Sequence, residues 1–110
     1  MTRVVLVPAK RSDATVPVEF PFADQLEFGE TISGQVVTCQ VFTGDDSAPE
    51  NVLSGPPTLS GTTVSQIVTG GVPGVIYQLV AIATTSNSNM YTKGARLAIV
   101  DEPAAFYATP

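Results

Sequence analysis

Val68-Thr69-Gly70-Gly71-Val72-Pro73-Gly74-Val75-Ile76-Tyr77-Gln78-Leu79 carries a strand into a Gly/Pro corner and out into a second, longer strand headed by a tyrosine. Pro and Gly at such positions stop one extended segment and aim the next. A tyrosine placed just after the corner matches a tyrosine corner, in which the hydroxyl bonds back to backbone a few residues upstream. Tyr77 is therefore expected to be structural. Gly71 and Gly74 are expected to supply positive φ or room at the corner. No helix follows the glycines, so the loop is not a phosphate cradle.

The same punctuation recurs along the chain. Phe28-Gly29-Glu30, Thr43-Gly44-Asp45-Asp46, Ser54-Gly55-Pro56 and Ser86-Asn87-Ser88-Asn89 separate runs rich in β-branched residues with period-two apolar patterning. Strands are expected at 4–7, 15–19, 31–42, 51–53, 57–59, 63–69, 75–85 and 91–100. No window carries a helical period, and Gly and Pro number 9 each. The expected fold is all-β, an immunoglobulin- or fibronectin-III-like sandwich of about seven strands. A body at 13–101 is expected between an N-terminal arm at 1–12 and a C-terminal arm at 102–110, the latter too rich in Pro and Ala for a strand.

Parity along the last two strands supplies the first functional hint. If Tyr77 faces inward, so do Leu79, Ala81 and Ala83, leaving Ile76, Gln78, Val80 and Ile82 on the opposite face. In the last strand Leu97 and Ile99 point inward while Arg96, Ala98 and Val100 point outward. That outer face is too apolar for water, so another chain or a terminal segment is expected to cover it. Gln78, Val80, Ile82, Ala98 and Val100 are the expected partner-contacting residues on the sheet. Val4 and Leu6 in the N-terminal arm and Phe106 and Tyr107 in the C-terminal arm are expected to cap a neighbour.

Composition points the same way. The 110 residues are 44% apolar and only 14% charged, against about 25% charged in a typical soluble protein, and mean hydropathy is +0.24. No apolar stretch approaches the roughly 20 residues of a bilayer span, and the N-terminus lacks a signal-peptide pattern. Neither membrane insertion nor export is expected. Arg3, Lys10 and Arg11 make the start basic, whereas residues 13–92 carry eight acids and no base. The net charge of −5 argues against nucleic acid as a partner.

Chemistry is largely excluded. With no histidine, Ser-His and Cys-His nucleophiles and the common zinc sites are absent. The single cysteine, Cys39, lies in a strand-like run and reads as a small core residue. Asp45, Asp46 and Glu50 form the densest acidic cluster, but their spacing fits ordinary turn chemistry and no EF-hand. No cofactor, metal or catalytic residue is expected. A carbohydrate-binding module would display aromatics in its loops, and 43–50, 54–57 and 86–89 contain none.

Lys10…Asp13, Phe22-Ala23-Asp24-Gln25-Leu26, Gly29-Glu30-Thr31-Ile32, Gly70-Gly71-Val72-Pro73-Gly74-Val75-Ile76-Tyr77, Thr84-Thr85-Ser86 and Leu97-Ala98-Ile99-Val100 occur in that order. The combination resembles the small fibre–tail adaptor proteins of tailed bacteriophages. The resemblance implies a non-enzymatic virion component, made in the bacterial cytoplasm. It would sit between tail or neck and a fibre or other attachment, and its partners would be other virion proteins and other copies of itself. A capsid decoration (cement) protein is the alternative within that class; a receptor- or carbohydrate-binding module is the alternative outside it.

Overall fold

The computed structural model describes residues 3–5 and 7–101. Seven strands run in the order β1 (Arg3–Val5), β2 (Thr15–Pro21), β3 (Ile32–Thr43), β4 (Leu53–Ser60), β5 (Thr63–Thr69), β6 (Ile76–Thr85) and β7 (Met90–Ala98). They form a four-stranded sheet, β1-β7-β6-β3, and a three-stranded sheet, β2-β5-β4. All pairings are antiparallel except β1 on β7, which is parallel. Two sheets with one buried face each make a β-sandwich.

Alternation in the sequence becomes alternation in burial. Along β6, Tyr77, Leu79, Ala81, Ala83 and Thr85 are buried, and the residues between them are half-buried. Val18 and Phe20 of β2, Val64 and Val68 of β5, Val37 and Cys39 of β3, and Ala95 and Leu97 of β7 complete the interface between the sheets with Phe22 and Ile99. Burying a Leu- or Phe-sized side chain stabilises by about 1.5–3 kcal/mol.

The segment around residue 51 departs from expectation. Pro49–Val52 forms one turn of 3₁₀ helix, not a strand, and β4 then runs unbroken from Leu53 to Ser60. Pro49 sits at the start of the turn, where its fixed φ is favourable and its missing N–H costs nothing. Strand β4 tolerates Gly55-Pro56-Pro57 because it is an edge strand, shifted in register between Ser54 and Thr58. There the buried Gln66 side chain donates to the carbonyls of Gly55 (3.1 Å) and Ile67 (2.9 Å).

The N-terminal segment enters along the body. Strand β1 extends the edge of the four-stranded sheet with Val4 in register with Gly94. Lys10, which the sequence places in an arm, is buried. Its backbone bridges Ala98 and Val100, and its Nζ donates to the carbonyls of Arg11, Ala14 and Gly70 at 2.8, 2.8 and 2.7 Å. Burial lowers the Lys10 pKa, opposed by the charges of Asp101 and Asp13.

Candidate functional site

The outer face of the four-stranded sheet is built by register. Val36, Ile82 and Thr92 lie side by side across β3, β6 and β7; the next rows are Thr38, Val80, Gly94 and then Gln40, Gln78, Arg96. Val36 (55% exposed), Phe42 (47%) and Met90 (66%) are open to solvent on this side, while Gln78, Val80 and Ile82 are half-buried by their neighbours. Strand β1 lies at the edge of the sheet, not across it. The face is thus an apolar strip rimmed by Gln, Thr and Arg.

Among the described side chains, Arg96 is the cation of this face. Its guanidinium lies 3.8 Å from the centroid of the Phe42 ring, stacking worth about 0.5–1 kcal/mol at an exposed site. Among the described residues it has no carboxylate partner.

The expected contact residues divide. Gln78, Val80 and Ile82 are gathered on one strand at the centre of the face. Ala98 is in register with Ile76 on its margin, and its carbonyl accepts from the Lys10 N–H (3.0 Å). Val100 lies beyond β7 and donates its N–H to the Lys10 carbonyl (2.9 Å). The chain's own N-terminal segment thus runs beside both. Val4 takes part through the backbone of β1. Leu6, Phe106 and Tyr107 lie outside the described residues.

Tyr77, Gly74 and Gly71 come together at the corner between β5 and β6. The Tyr77 hydroxyl accepts from the Val72 N–H (2.8 Å) and donates to Asp46 Oδ2 (2.6 Å). Burial and then the bond to Asp46 push the Tyr77 pKa up to about 12. Asp46 in turn accepts from the Ala48 N–H (2.9 Å) and is held below the ordinary carboxylate value, first by Tyr77. Gly74 has φ +88° and donates its N–H to the Ile99 carbonyl at 2.8 Å. Gly71 has φ +99°, and a Cβ there would meet Ile99 Cγ1 at 2.7 Å.

Sequence reasoning missed the charged groups that join distant segments. Glu30 is buried, and its carboxylate accepts from the Glu27 N–H (2.9 Å), the Thr85 hydroxyl, Asn89 Nδ2 (2.9 Å) and the Tyr91 hydroxyl (3.2 Å). These bonds, the Glu27 N–H first and Thr85 next, hold its pKa down at about 2. Glu30 therefore clamps the turn before β3 onto the β6–β7 hairpin. Lys93 faces inward, buried, with Nζ 3.0 Å from Asp24 Oδ1 and 5.7 Å from the centroid of the Phe22 ring. A base beside alternating core residues and an acid directly after a turn glycine are the only local signals for these two.

One aromatic also went unnoticed. Phe28, on the turn before β3, is fully exposed. Its turn is fixed by the Glu30 N–H to the Glu27 carbonyl (2.9 Å), by the reciprocal bond from the Glu27 N–H to Glu30, and by Gly29 at φ +80°.

Several of the motif segments singled out in the sequence are tied to distant parts of the chain. Gly29–Ile32 joins Thr85 through Glu30, Lys10 joins Gly70, and Asp24 joins Lys93. A comparison with curated proteins finds no match. A family model described as podophage GP4 fiber-tail adaptor protein gp77 matches residues 10–98. That span runs from the buried Lys10 to the end of β7 and takes in every one of these clamps, and the chain belongs to this phage fibre–tail adaptor family.

Proposed function

We propose that the protein is a non-enzymatic joint of the phage particle, linking a fibre or other attachment to the tail or neck by surface complementarity and in multiple copies. The observation that carries this reading is the apolar outer face of the four-stranded sheet, centred on Val80 and Ile82, in a member of an adaptor family. Lys10, Glu30, Asp46 and Lys93 are each engaged in bonds that hold the fold together, which supports a structural role for them. The body is read as an immunoglobulin-like sandwich. Strand order β7-β6-β3 against β2-β5-β4, with a corner tyrosine at the head of β6, supports that reading. In this reading the terminal segments beyond the body serve as arms toward neighbouring copies or virion proteins.

Val80→Asp and Ile82→Asp in the full chain test the role of the face. Both side chains point away from the core, so the thermal unfolding midpoint is expected to stay within a few degrees. Incorporation into particles, measured by complementing a phage that lacks the protein, is expected to fall at least tenfold. Unchanged incorporation by both variants, with both folded, refutes the assignment of the face. Cryo-electron microscopy of the complemented particle separates a tail or neck position from a capsid one.

A further inference from the structure

Two exposed features of the chain match each other in chemistry and lie at opposite ends of the same sheet. The first is the Phe28 turn. It presents an aromatic ring with no cover of its own (107% exposed) on a backbone locked by Gly29 and by the Glu27–Glu30 bonds. Glu27 is exposed and Glu30 is held ionised. Among the described residues, the hydrogen-bond partners of these two carboxylates include no cation. The turn is therefore an acidic mount for an apolar knob.

The second feature is the Arg96 end of the sheet face, where the guanidinium lies over Phe42 without a carboxylate partner among the described residues, beside Gln78 and the apolar strip of Val80 and Ile82. Arginine and aromatic side chains in such settings are the residues that dominate binding at protein interfaces.

Register keeps the two apart within one chain. Glu30 ties the Phe28 turn to Thr85, which is paired with Ile32 at the start of β3, whereas Arg96 shares a row with Gln78 and Gln40. Along β6 the two rows, at Thr85 and Gln78, are seven residues apart, about 23 Å at 3.3–3.4 Å per residue. An acidic turn and an arginine face so placed meet only between molecules, head to tail.

We propose that Phe28 of one copy docks on the Arg96–Phe42 end of the sheet face of the next, with Glu27 facing Arg96. The contact is heterologous, so each copy keeps one free turn and one free face. Repetition closes a ring if the rotation permits and otherwise extends a filament. This inference rests on reading the sheet face as an interface. It gives that face a specific occupant, a second copy of this chain, and charge complementarity supplies its register.

The test uses the full-length chain and sedimentation equilibrium over a concentration series. The wild type is expected to associate reversibly. Phe28→Ala, Glu27→Lys and Arg96→Glu are each expected to raise the dissociation constant about 30-fold or more, the scale of an anchor residue, without lowering the thermal midpoint. The double variant Glu27→Lys/Arg96→Glu is expected to recover association. Mixing Phe28→Ala with Arg96→Glu leaves one intact turn and one intact face, so it is expected to give 1:1 dimers and nothing larger. A wild-type monomer throughout the series, association of Phe28→Ala equal to wild type, or a charge-swapped double variant no better than its parents each overturns the proposal. Particle incorporation unaffected by Val80→Asp and Ile82→Asp, alongside recovery by the double variant, refutes the adaptor reading of the face and leaves this contact standing.

Discussion

Gly71→Ala is expected to cost about 2–6 kcal/mol of stability, from two separable causes. The backbone at Gly71 has φ +99°, a region that costs a residue with a Cβ about 1–3 kcal/mol. A Cβ would also sit 2.7 Å from Ile99 Cγ1 and 2.8 Å from Ile99 Cδ1, well inside the roughly 3.5–4.0 Å of a good carbon–carbon contact. Ile99 is 1% exposed, and its backbone is bonded to Gly74 and Val75, so it has little room to retreat. Overpacking of this kind costs about 1–3 kcal/mol. With a mid-range urea slope of about 2 kcal/mol/M, a cost of about 4 kcal/mol lowers the unfolding midpoint by roughly 2 M. Ile99→Ala removes both clashing atoms and leaves φ unchanged. A double-mutant cycle is then expected to show Gly71→Ala costing about 1–3 kcal/mol less in the Ile99→Ala background. Trimethylamine oxide at one fixed concentration in all four samples keeps the double variant folded before urea is added. Equal cost in the two backgrounds refutes the packing argument, and a wild-type-like Gly71→Ala refutes both.

Titration supplies two further predictions. Glu30 has an ordinary pKa of 4.5 and a folded value of about 2, so the unfolded chain binds more protons between those values. Its stabilisation is present above pH 4.5 and is lost as pH falls toward 2. Glu30→Gln is expected to lower the neutral-pH thermal midpoint and to flatten the stability profile across that window; an unchanged acid limb in the variant contradicts the clamp. Tyr77 is shifted the other way, from 10 to about 12, so its contribution is intact below pH 10 and is lost as pH rises from 10 to 12. Tyr77→Phe is expected to cost about 1–3 kcal/mol at pH 7 by stripping the Val72 N–H of its acceptor and to flatten the alkaline limb, as urea titrations at pH 7, 10 and 11.5 will show. Cys39, buried and pushed up to about 11 by that burial and then by Asp46 and Glu50, is expected to react with a thiol reagent at pH 8 only through unfolding. A stoichiometric fast reaction in native buffer is the contrary result.

Strand positions and face parity were legible because a two-residue period maps directly onto the two sides of a sheet. Tyr77, Leu79, Ala81 and Ala83 could be placed inward from one tyrosine and the rule of alternation. Pro49–Val52 was not legible as a helical turn, since three or four residues carry no period. Gly55-Pro56-Pro57 hid the continuity of β4, which depends on a side chain eleven residues away, Gln66. The clamps were further out of reach. Glu30 meets Thr85 across 55 residues, Lys10 meets Gly70 across 60, and Asp24 meets Lys93 across 69. Nothing local to any of these residues names its partner. Lys10 read as part of a basic N-terminal arm, and only the bridge to Ile99 shows that it is laid against the body and buried.

The candidate interface divides along the same line. Apolar residues at alternate positions of β6 put Val80 and Ile82 on one face and Leu79 and Ala81 on the other whatever the topology. Register alone brought Arg96 beside Gln78 and Gln40, set its guanidinium over Phe42, and put the Phe28 turn at the far end of that sheet. Periodicity is a property of consecutive residues and survives in a string of letters. Which rows adjoin, and which aromatic is left without cover, depends on pairings between segments tens of residues apart, and those exist only once the chain has folded.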